Sequence, residues 1–492
     1  MEMMNGKEYI ESLRKYRPRI YFMGKRIDSV ADDPILAPHV NAAAMTYELA
    51  HDPRYAEIMT ATSHLTGEKI NRFTHIHQST DDLVKKVRMM RLLGRKTGSC
   101  FQRCVGLDAI NALYITTYDV DQKYGTDYHE RVKEYIRYVQ KNDLMVAGAM
   151  TDVKGDRSLR PHQQADPDLY LRVVERRGDG IVVRGAKAHI TGVANSHEII
   201  ALPTRAMGEE DKDYAVAFAV PVDAEGVTMI FGRQTNDLRR LDGDIDCGNA
   251  KYATVGGEAL VVFDDVFVPW ERVFMCGEYD FTSELVETFA TFHRQNYGGC
   301  KVGVADVLIG ASACIAEYNG VEGASHIVDK LTEMIHMAET CWCCSLACSY
   351  EGFKTPSGAY MPNLLLANVT KLNITRLPYE WSRLSQDLAG GFVITTPSEL
   401  DYRNPETREM VEKYLKGRAE IPTEHRLRMF RLIENLSIGA ELPESMHGAG
   451  SPAAQKIMIW RRSNIDMKKE EAKRIAGIKR DEDFERVRGN QK

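Results

Sequence analysis

The sequence predicts an α+β protein in which a compact antiparallel β domain, residues 151–280, sits between an N-terminal helical domain, 1–150, and a C-terminal helical domain, 281–492. Three observations predict it. Apolar residues recur at helical spacing on both flanks, short apolar runs broken by turn residues fill the middle, and 492 residues exceed what one hydrophobic core usually serves.

In the first segment Thr80-Asp81-Asp82 signals a helix start, and Leu83, Val87 and Met90 continue it as an i, i+4, i+7 stripe. Val132, Tyr135, Ile136 and Val139 repeat the pattern. The middle segment changes to runs at 169–174, 181–183, 214–220 and 259–268, with Gly178-Asp179-Gly180 as a turn between two of them. Helical stretches return at 301–318, 326–350 and 451–476, the last with Ser451 as N-cap and Pro452 at its first position. A polar, highly charged tail follows Gly477.

The composition, 43% hydrophobic and 27% charged, is that of an ordinary soluble protein, and a net charge of -6 leaves no general basic surface for nucleic acid. Lys7, Glu8, Glu11, Arg14 and Lys15 interrupt any apolar stretch that a signal peptide would need, and no run approaches the roughly 20 apolar residues of a membrane span. The expected location is the cytoplasm, without membrane attachment. Cysteines stay reduced there, so the spacing of all 10 is read first as metal or redox chemistry.

Cys100 and Cys104, in GSCFQRCVG, stand four apart, on one face if the segment is helical. His293 and Cys300, in HRQNYGGC, stand seven apart, again on one face. Two helical turns rise roughly 10 Å, long for two ligands of one zinc ion at about 2.0 to 2.3 Å each and easier for a polynuclear cluster. A helix break at Gly298-Gly299 would weaken that argument. Spacing alone leaves the question open, since two core thiols and a structural histidine satisfy the same pattern. A denser group, Cys341, Cys343, Cys344 and Cys348, lies in a long apolar helical run with Cys341, Cys344 and Cys348 on one stripe, and is read as packed core thiols. Gly448-Ala449-Gly450-Ser451-Pro452-Ala453 fits the dinucleotide pattern G-x-G-x-x-A, but no strand precedes it; it is read as a loop at a helix N-terminus.

The strings MTYELA (45–50), HQSTDDL (77–83), SCFQRCVG (99–106), DQKYGTDYH (121–129), AMTDVKGDR (149–157), VVRGAKAHITG (182–192), HRQNYGGCKVG (293–303) and ESMHGAGSP (444–452) resemble those of 4-hydroxybutyryl-CoA dehydratases. The resemblance runs from about residue 5 to 478. It implies a fold similar to acyl-CoA dehydrogenases, with a helical domain, a β domain and a C-terminal helical bundle, in homotetramers. It also implies that Cys100, Cys104, His293 and Cys300 ligate a 4Fe-4S iron–sulfur cluster. FAD is implied by AMTDVKGDR and AHITG, with Met150, Thr151, Arg157 and Thr191 as contacts. The stretch Gln386 to Gly391, Gly390 included, resembles one that reaches the flavin of a neighbouring subunit.

The activity so implied is dehydration of 4-hydroxybutyryl-CoA to crotonyl-CoA, with isomerisation of vinylacetyl-CoA to the same product. Its difficulty is chemical: the C3 hydrogen is not acidified by the thioester carbonyl, and hydroxide leaves C4 poorly. Once a base has taken the C2 proton, one-electron oxidation of the enolate by a flavin gives a radical whose C3 proton is far more acidic, loss of which gives the ketyl radical, while iron acts as a Lewis acid on the hydroxyl. His293 is the candidate displaceable ligand and base. Glu444 and Tyr297 are candidates for proton transfer and hydroxyl positioning, Lys301 and Glu258 for charge and hydrogen-bond support, and Thr191 is shared with the flavin set. Two other classes stay open: a cluster-free FAD-dependent aromatic monooxygenase of the 4-hydroxyphenylacetate 3-hydroxylase type, and a noncatalytic flavoprotein or zinc-stabilised scaffold.

Overall fold

A capping box opens the first helix, Gly6–Leu13: Asn5 Oδ1 accepts from the Lys7 and Glu8 amides, and Glu8 accepts in return from the Asn5 amide. The computed structural model, which describes residues 3–235, 237–253 and 255–478, then adds short strands to the expected mostly helical N-terminal segment. Ile20–Phe22 and Lys25–Ile27 form a hairpin whose first strand pairs in parallel with Val227–Phe231. Three-residue strands are too short to show a period-2 pattern. Helices follow at Ala37–His51, Thr80–Thr97, Cys104–Tyr124 and Tyr128–Lys141. The second of these is capped by Ser79 rather than by the threonine after it, and ends at Gly98, whose φ of 57° is left-handed.

The middle of the chain folds into two sheets. The larger runs Lys25–Ile27, Ile20–Phe22, Val227–Phe231, Glu258–Pro269, Gly180–Thr191, Arg172–Arg176; the smaller runs Val273–Cys276, Val216–Pro221, Glu198–Ala201, Val146–Ala149. Pairing is antiparallel except between Ile20–Phe22 and Val227–Phe231, and between Val146–Ala149 and Glu198–Ala201. The expectation of a wholly antiparallel domain is corrected to that extent: both parallel pairs bring in a strand from the N-terminal 150 residues. The inner faces share one core in which Val183, Met229 and Val261 of the larger sheet meet Ile199, Phe218 and Val273 of the smaller. The register Glu258↔Thr191 places these two residues side by side at one end of the larger sheet.

The organising element of the rest is Thr282–Tyr318, an unbroken helix of 37 residues. Gly298-Gly299 does not interrupt it. A Cβ on Gly299 would lie 2.6 Å from the Val87 carbonyl oxygen, and one on Gly303 would lie 2.4 Å from that of Arg91. These positions are glycine so that the Thr80–Thr97 helix can press against the long one. The helices Ser325–Tyr350, Leu364–Ile374, Leu377–Ala389 and Thr423–Ser437 surround it. By length and composition this helix would pass as a membrane span, contrary to the sequence expectation. It is instead mostly buried among its neighbours, as the core helix of a bundle is.

The expected helix at 451–476 is two, Pro452–Arg462 and Ile465–Ile475, broken where Asn464 takes a left-handed φ of 46° and caps the second through its side chain. On Ser325–Tyr350, Cys341 and Cys348 are fully buried, Cys344 is half-buried and Cys343 is exposed, the distribution of a packed helix face. The charged tail after Gly477 lies, beyond Ile478, outside the described residues.

His197 ties the N-terminal helix to the smaller sheet: its Nδ1 accepts from the Met145 amide at 2.9 Å, and its Nε2 meets Ser12 Oγ at 2.7 Å. Burial, reinforced by Arg103, depresses its pKa to about 3. The unfolded chain therefore binds a proton near pH 6.5 that the folded chain refuses, and stability present above that pH is lost as pH falls. Between pH 7 and 5.5 this group is expected to remove about 1 kcal/mol. Urea midpoints of the wild type and His197→Gln at both pH values test it; equal pH sensitivity of the two proteins would refute it.

Candidate functional site

The segment between the Thr80–Thr97 and Cys104–Tyr124 helices is a bend, not a helix, so the two cysteines do not share a helical face as the conditional expectation had it. Gln102 has a φ of 70°, and Cys104 is the first residue of the following helix. The bend is held by buried side chains. Gln102 donates to the His39 carbonyl at 3.1 Å and accepts from Asn195 at 2.8 Å, while Arg103 donates to Asp143 at 3.3 Å and lies 3.9 Å over the Tyr47 ring.

Facing this bend, the long helix presents His293, Tyr297 and Cys300 at i, i+4 and i+7, with Lys301 next to them. Cys100, Cys104 and Cys300 are free thiols close enough to act electrostatically on one another. Burial pushes Cys100 and Cys104 well above the ordinary thiol range and Cys300 up to about 12, with Lys301 pulling Cys300 the other way. Three thiols so placed need a cation or a metal to become thiolates. Among the described residues His293 is anchored through one nitrogen: its Nδ1 donates to Asp108 Oδ2 at 2.8 Å. The ring stacks on Phe289 and meets Tyr297 edge-on, each with centroids 5.5 Å apart. Among the described residues, no three His, Cys, Asp or Glu side chains converge tightly enough to hold a single metal ion. Three thiols and an imidazole are donor types found in both zinc sites and iron–sulfur centres.

Beside the thiols lies a charged network. Lys301 Nζ donates to Glu441 Oε1 at 2.8 Å and is paired with Glu444, whose Oε1 accepts from the Tyr297 hydroxyl at 3.0 Å. Burial works against every charge here, yet Glu441 and Glu444 drive the Lys301 pKa well up, and Lys301 followed by Lys371 holds Glu444 below the usual carboxylate range. Glu441 and Glu258 behave oppositely. Burial lifts each to about 7, with Glu444 adding repulsion, and Thr191 Oγ1 stands 3.4 Å from Glu258 Oε1. One carboxyl held low and two lifted towards neutrality thus sit together, and separated carboxyl pKa values of this kind are what acid and base roles need.

Lys371 Nζ donates to the Ser445 carbonyl at 2.5 Å and lies 4.3 Å over the Tyr297 ring; burial lowers its pKa to about 7. The Gly448 to Gly450 loop closes over this corner: a Cβ at Gly448 would fall 1.8 Å from the Tyr297 hydroxyl. It is a loop at a helix N-terminus, not a dinucleotide fingerprint.

The structure therefore brings together Cys100, Cys104, Cys300, His293, Tyr297, Lys301, Glu444, Glu258 and Thr191. Gly256 is the joint between the last two and the thiols, since a Cβ there would meet Thr191, Cys100 Sγ and Glu258. Met150 and Thr151 sit at the end of Val146–Ala149, where Lys187 donates to the Met150 carbonyl at 3.0 Å and the Ala188 amide to that of Thr151 at 2.8 Å. Arg157 is exposed on the loop that follows. Gln386 is engaged within its own chain, donating to the Ser437 carbonyl at 2.9 Å. Gly390 and Gly391 face open space.

Sequence reasoning missed Glu441, Lys371, Asp108, Lys86 and Asn296. Of these only Asp108 carried a signal, one helical turn beyond Cys104 on the same face.

Comparisons with known proteins agree on one group. Family models for the N-terminal and C-terminal parts of 4-hydroxyphenylacetate 3-hydroxylase match residues 5–275 and 282–477. The 4-hydroxybutyryl-CoA dehydratase/vinylacetyl-CoA-Delta-isomerase of Clostridium aminobutyricum is 57% identical over 491 residues, covering 97% of this chain and 100% of that protein. The 4-hydroxyphenylacetate 3-monooxygenase oxygenase component of Thermus thermophilus is 26% identical, covering 88% of each. The solved structure of an oxygen-tolerant archaeal 4-hydroxybutyryl-CoA dehydratase from N. maritimus matches with a TM-score of 0.95 at 51% identity, over 97% of this chain and 96% of that one. A 4-hydroxyphenylacetate 3-monooxygenase oxygenase component complexed with FAD matches in fold, at a TM-score of 0.84 and 24% identity, over 96% and 98%.

Proposed function

Since the chain belongs to the 4-hydroxybutyryl-CoA dehydratase family, within the wider 4-hydroxyphenylacetate 3-hydroxylase group, we propose that it dehydrates 4-hydroxybutyryl-CoA to crotonyl-CoA and water and shifts the double bond of vinylacetyl-CoA to the same product. The observation that carries this reading is the meeting of Cys100, Cys104, Cys300 and a singly anchored His293 with the Lys301, Glu444 and Tyr297 network.

In this proposal Cys100, Cys104, Cys300 and His293 hold a 4Fe-4S cluster, and FAD lies against Met150, Thr151, Arg157 and Thr191. When bound, these groups supply one-electron oxidation of the substrate enolate and Lewis acidity toward the departing hydroxyl. The chain's own residues do the rest. Ionised Glu444 accepts a proton and Tyr297 orients it through the hydroxyl, while Lys301 keeps Glu444 charged. Glu258, its pKa lifted by burial to about 7, accepts from the Thr191 hydroxyl and is the group placed to exchange a proton near neutral pH. Double-bond migration needs only removal and return of protons, so both activities draw on the same groups.

Anaerobic purification with an absorption spectrum, an iron and flavin count and assays of both activities tests the proposal. Iron and FAD are expected together with both turnovers. Full turnover without iron, or aromatic hydroxylation with reduced flavin and oxygen, would overturn it.

The same proposal places Gln386, Gly390 and Gly391 against the flavin of a neighbouring subunit in a homotetramer. Because the space beside Gly391 is open within one chain, Gly391→Leu is expected to fold normally yet weaken both FAD retention and assembly. Size-exclusion chromatography with flavin absorbance decides, and a fully loaded, fully assembled variant would exclude that stretch from a shared site.

A further inference from the structure

We infer that Asp108 is a positioning residue for His293, with Lys86 holding the carboxylate in place; the inference rests on the reading of His293 as an iron ligand. Asp108 and Lys86 have side chains of 0% exposure, and Lys86 Nζ meets Asp108 Oδ1 at 2.7 Å. The other oxygen, Oδ2, accepts from both His293 Nδ1 at 2.8 Å and Asn296 Nδ2 at 2.6 Å. A carboxylate only accepts, so Nδ1 is the protonated nitrogen and the lone pair lies on Nε2. Phe289 and Tyr297 confine the ring plane, leaving Nε2 one direction in which to bind.

A plain buried ion pair joining two helices would need no such division of its oxygens. Here one oxygen is given to the cation and the other to the imidazole and the amide beside it. Lys86 also donates to the Phe292 carbonyl at 3.0 Å, so the same cation fixes the backbone one residue before the histidine. Three elements, Thr80–Thr97, Cys104–Tyr124 and Thr282–Tyr318, are thereby locked around one ring. Carboxylates in this relation to a ligating histidine set its orientation and basicity.

The test uses the anaerobic holoenzyme and the rate at which iron passes to a chelator, beside thermal melting and both turnovers. Two variants are compared: Asp108→Glu, which keeps both charges but displaces the carboxylate by one methylene, and the double variant Lys86→Met/Asp108→Asn, which removes both charges together. Each is expected to melt near the wild type and to release iron about tenfold faster. Wild-type iron release in Asp108→Glu overturns the inference, and that variant decides should the double variant not accumulate. His293→Ala separates the two readings. If it too releases iron at the wild-type rate, the ligand assignment fails; if it alone releases iron faster, only the positioning role of Asp108 fails.

Discussion

Cys100→Ala, Cys104→Ala and Cys300→Ala are each expected to lose most of the bound iron and both activities, while Cys344→Ala keeps them. The difference is one of surroundings. The first three thiols come from a bend and from the face of the long helix, act on one another electrostatically, and border Lys301, Glu444 and Glu258. Cys344 sits on a separate helix, where it accepts from Asn373 at 3.5 Å. Loss of an outer-shell partner alone costs a metal site about 10- to 100-fold, so loss of a ligand is expected to cost more than about 100-fold in turnover. Cys104 also fills core space, at 6% exposure. Circular dichroism must therefore show that Cys104→Ala is folded before its iron count is used. Iron retained in all three variants would remove the cluster assignment and the mechanism with it.

Much of the fold could be read from local pattern because its long elements are regular. The Thr80–Thr97 and Ser325–Tyr350 helices, and the strands within Gly180–Thr191 and Glu258–Pro269, lie where periodicity puts them. What pattern does not carry is pairing. Nothing local in Ile20–Phe22 says that it adds in parallel to a strand some two hundred residues later, and nothing in Val146–Ala149 says that it joins Glu198–Ala201. The break at Asn464 was hidden because Ser463 and Asn464 are polar residues inside a charged, amphipathic stretch, where a continuous helix is equally consistent.

At the site, the legible residues were those with unusual chemistry at revealing spacing, the thiols and His293. The illegible ones are ordinary Lys, Glu and Asn whose meaning is burial. Glu441 in GAELPE reads as a solvated charge, yet it is 5% exposed and bonded to Lys301. Lys371, in an apolar helix, is fully buried without a carboxylate hydrogen-bonded to it among the described contacts. Sequence cannot announce such groups, since an exposed lysine is the far commoner case.

Under the proposed function Glu444 is expected to take the C2 proton, because of how the two candidates are held, and Glu444→Gln is the variant that tests it. His293 has Nδ1 committed to Asp108, so only Nε2 is free, and in the proposed reading that atom binds iron. Glu444 has no such competing duty: Lys301 and Tyr297 keep it ionised and aimed. Glutamine at this position preserves the shape and leaves Lys301 its partner Glu441, so the fold and the iron content are expected to survive. Deuterium exchange at C2 is expected to fall by about 10²- to 10⁴-fold, the usual contribution of a general base, with dehydration and isomerisation falling in parallel. In His293→Cys, where a thiolate replaces the imidazole, exchange is then expected to persist while dehydration is lost. Should exchange survive in Glu444→Gln and vanish in His293→Cys, the imidazole is the base, and it must leave the iron to act.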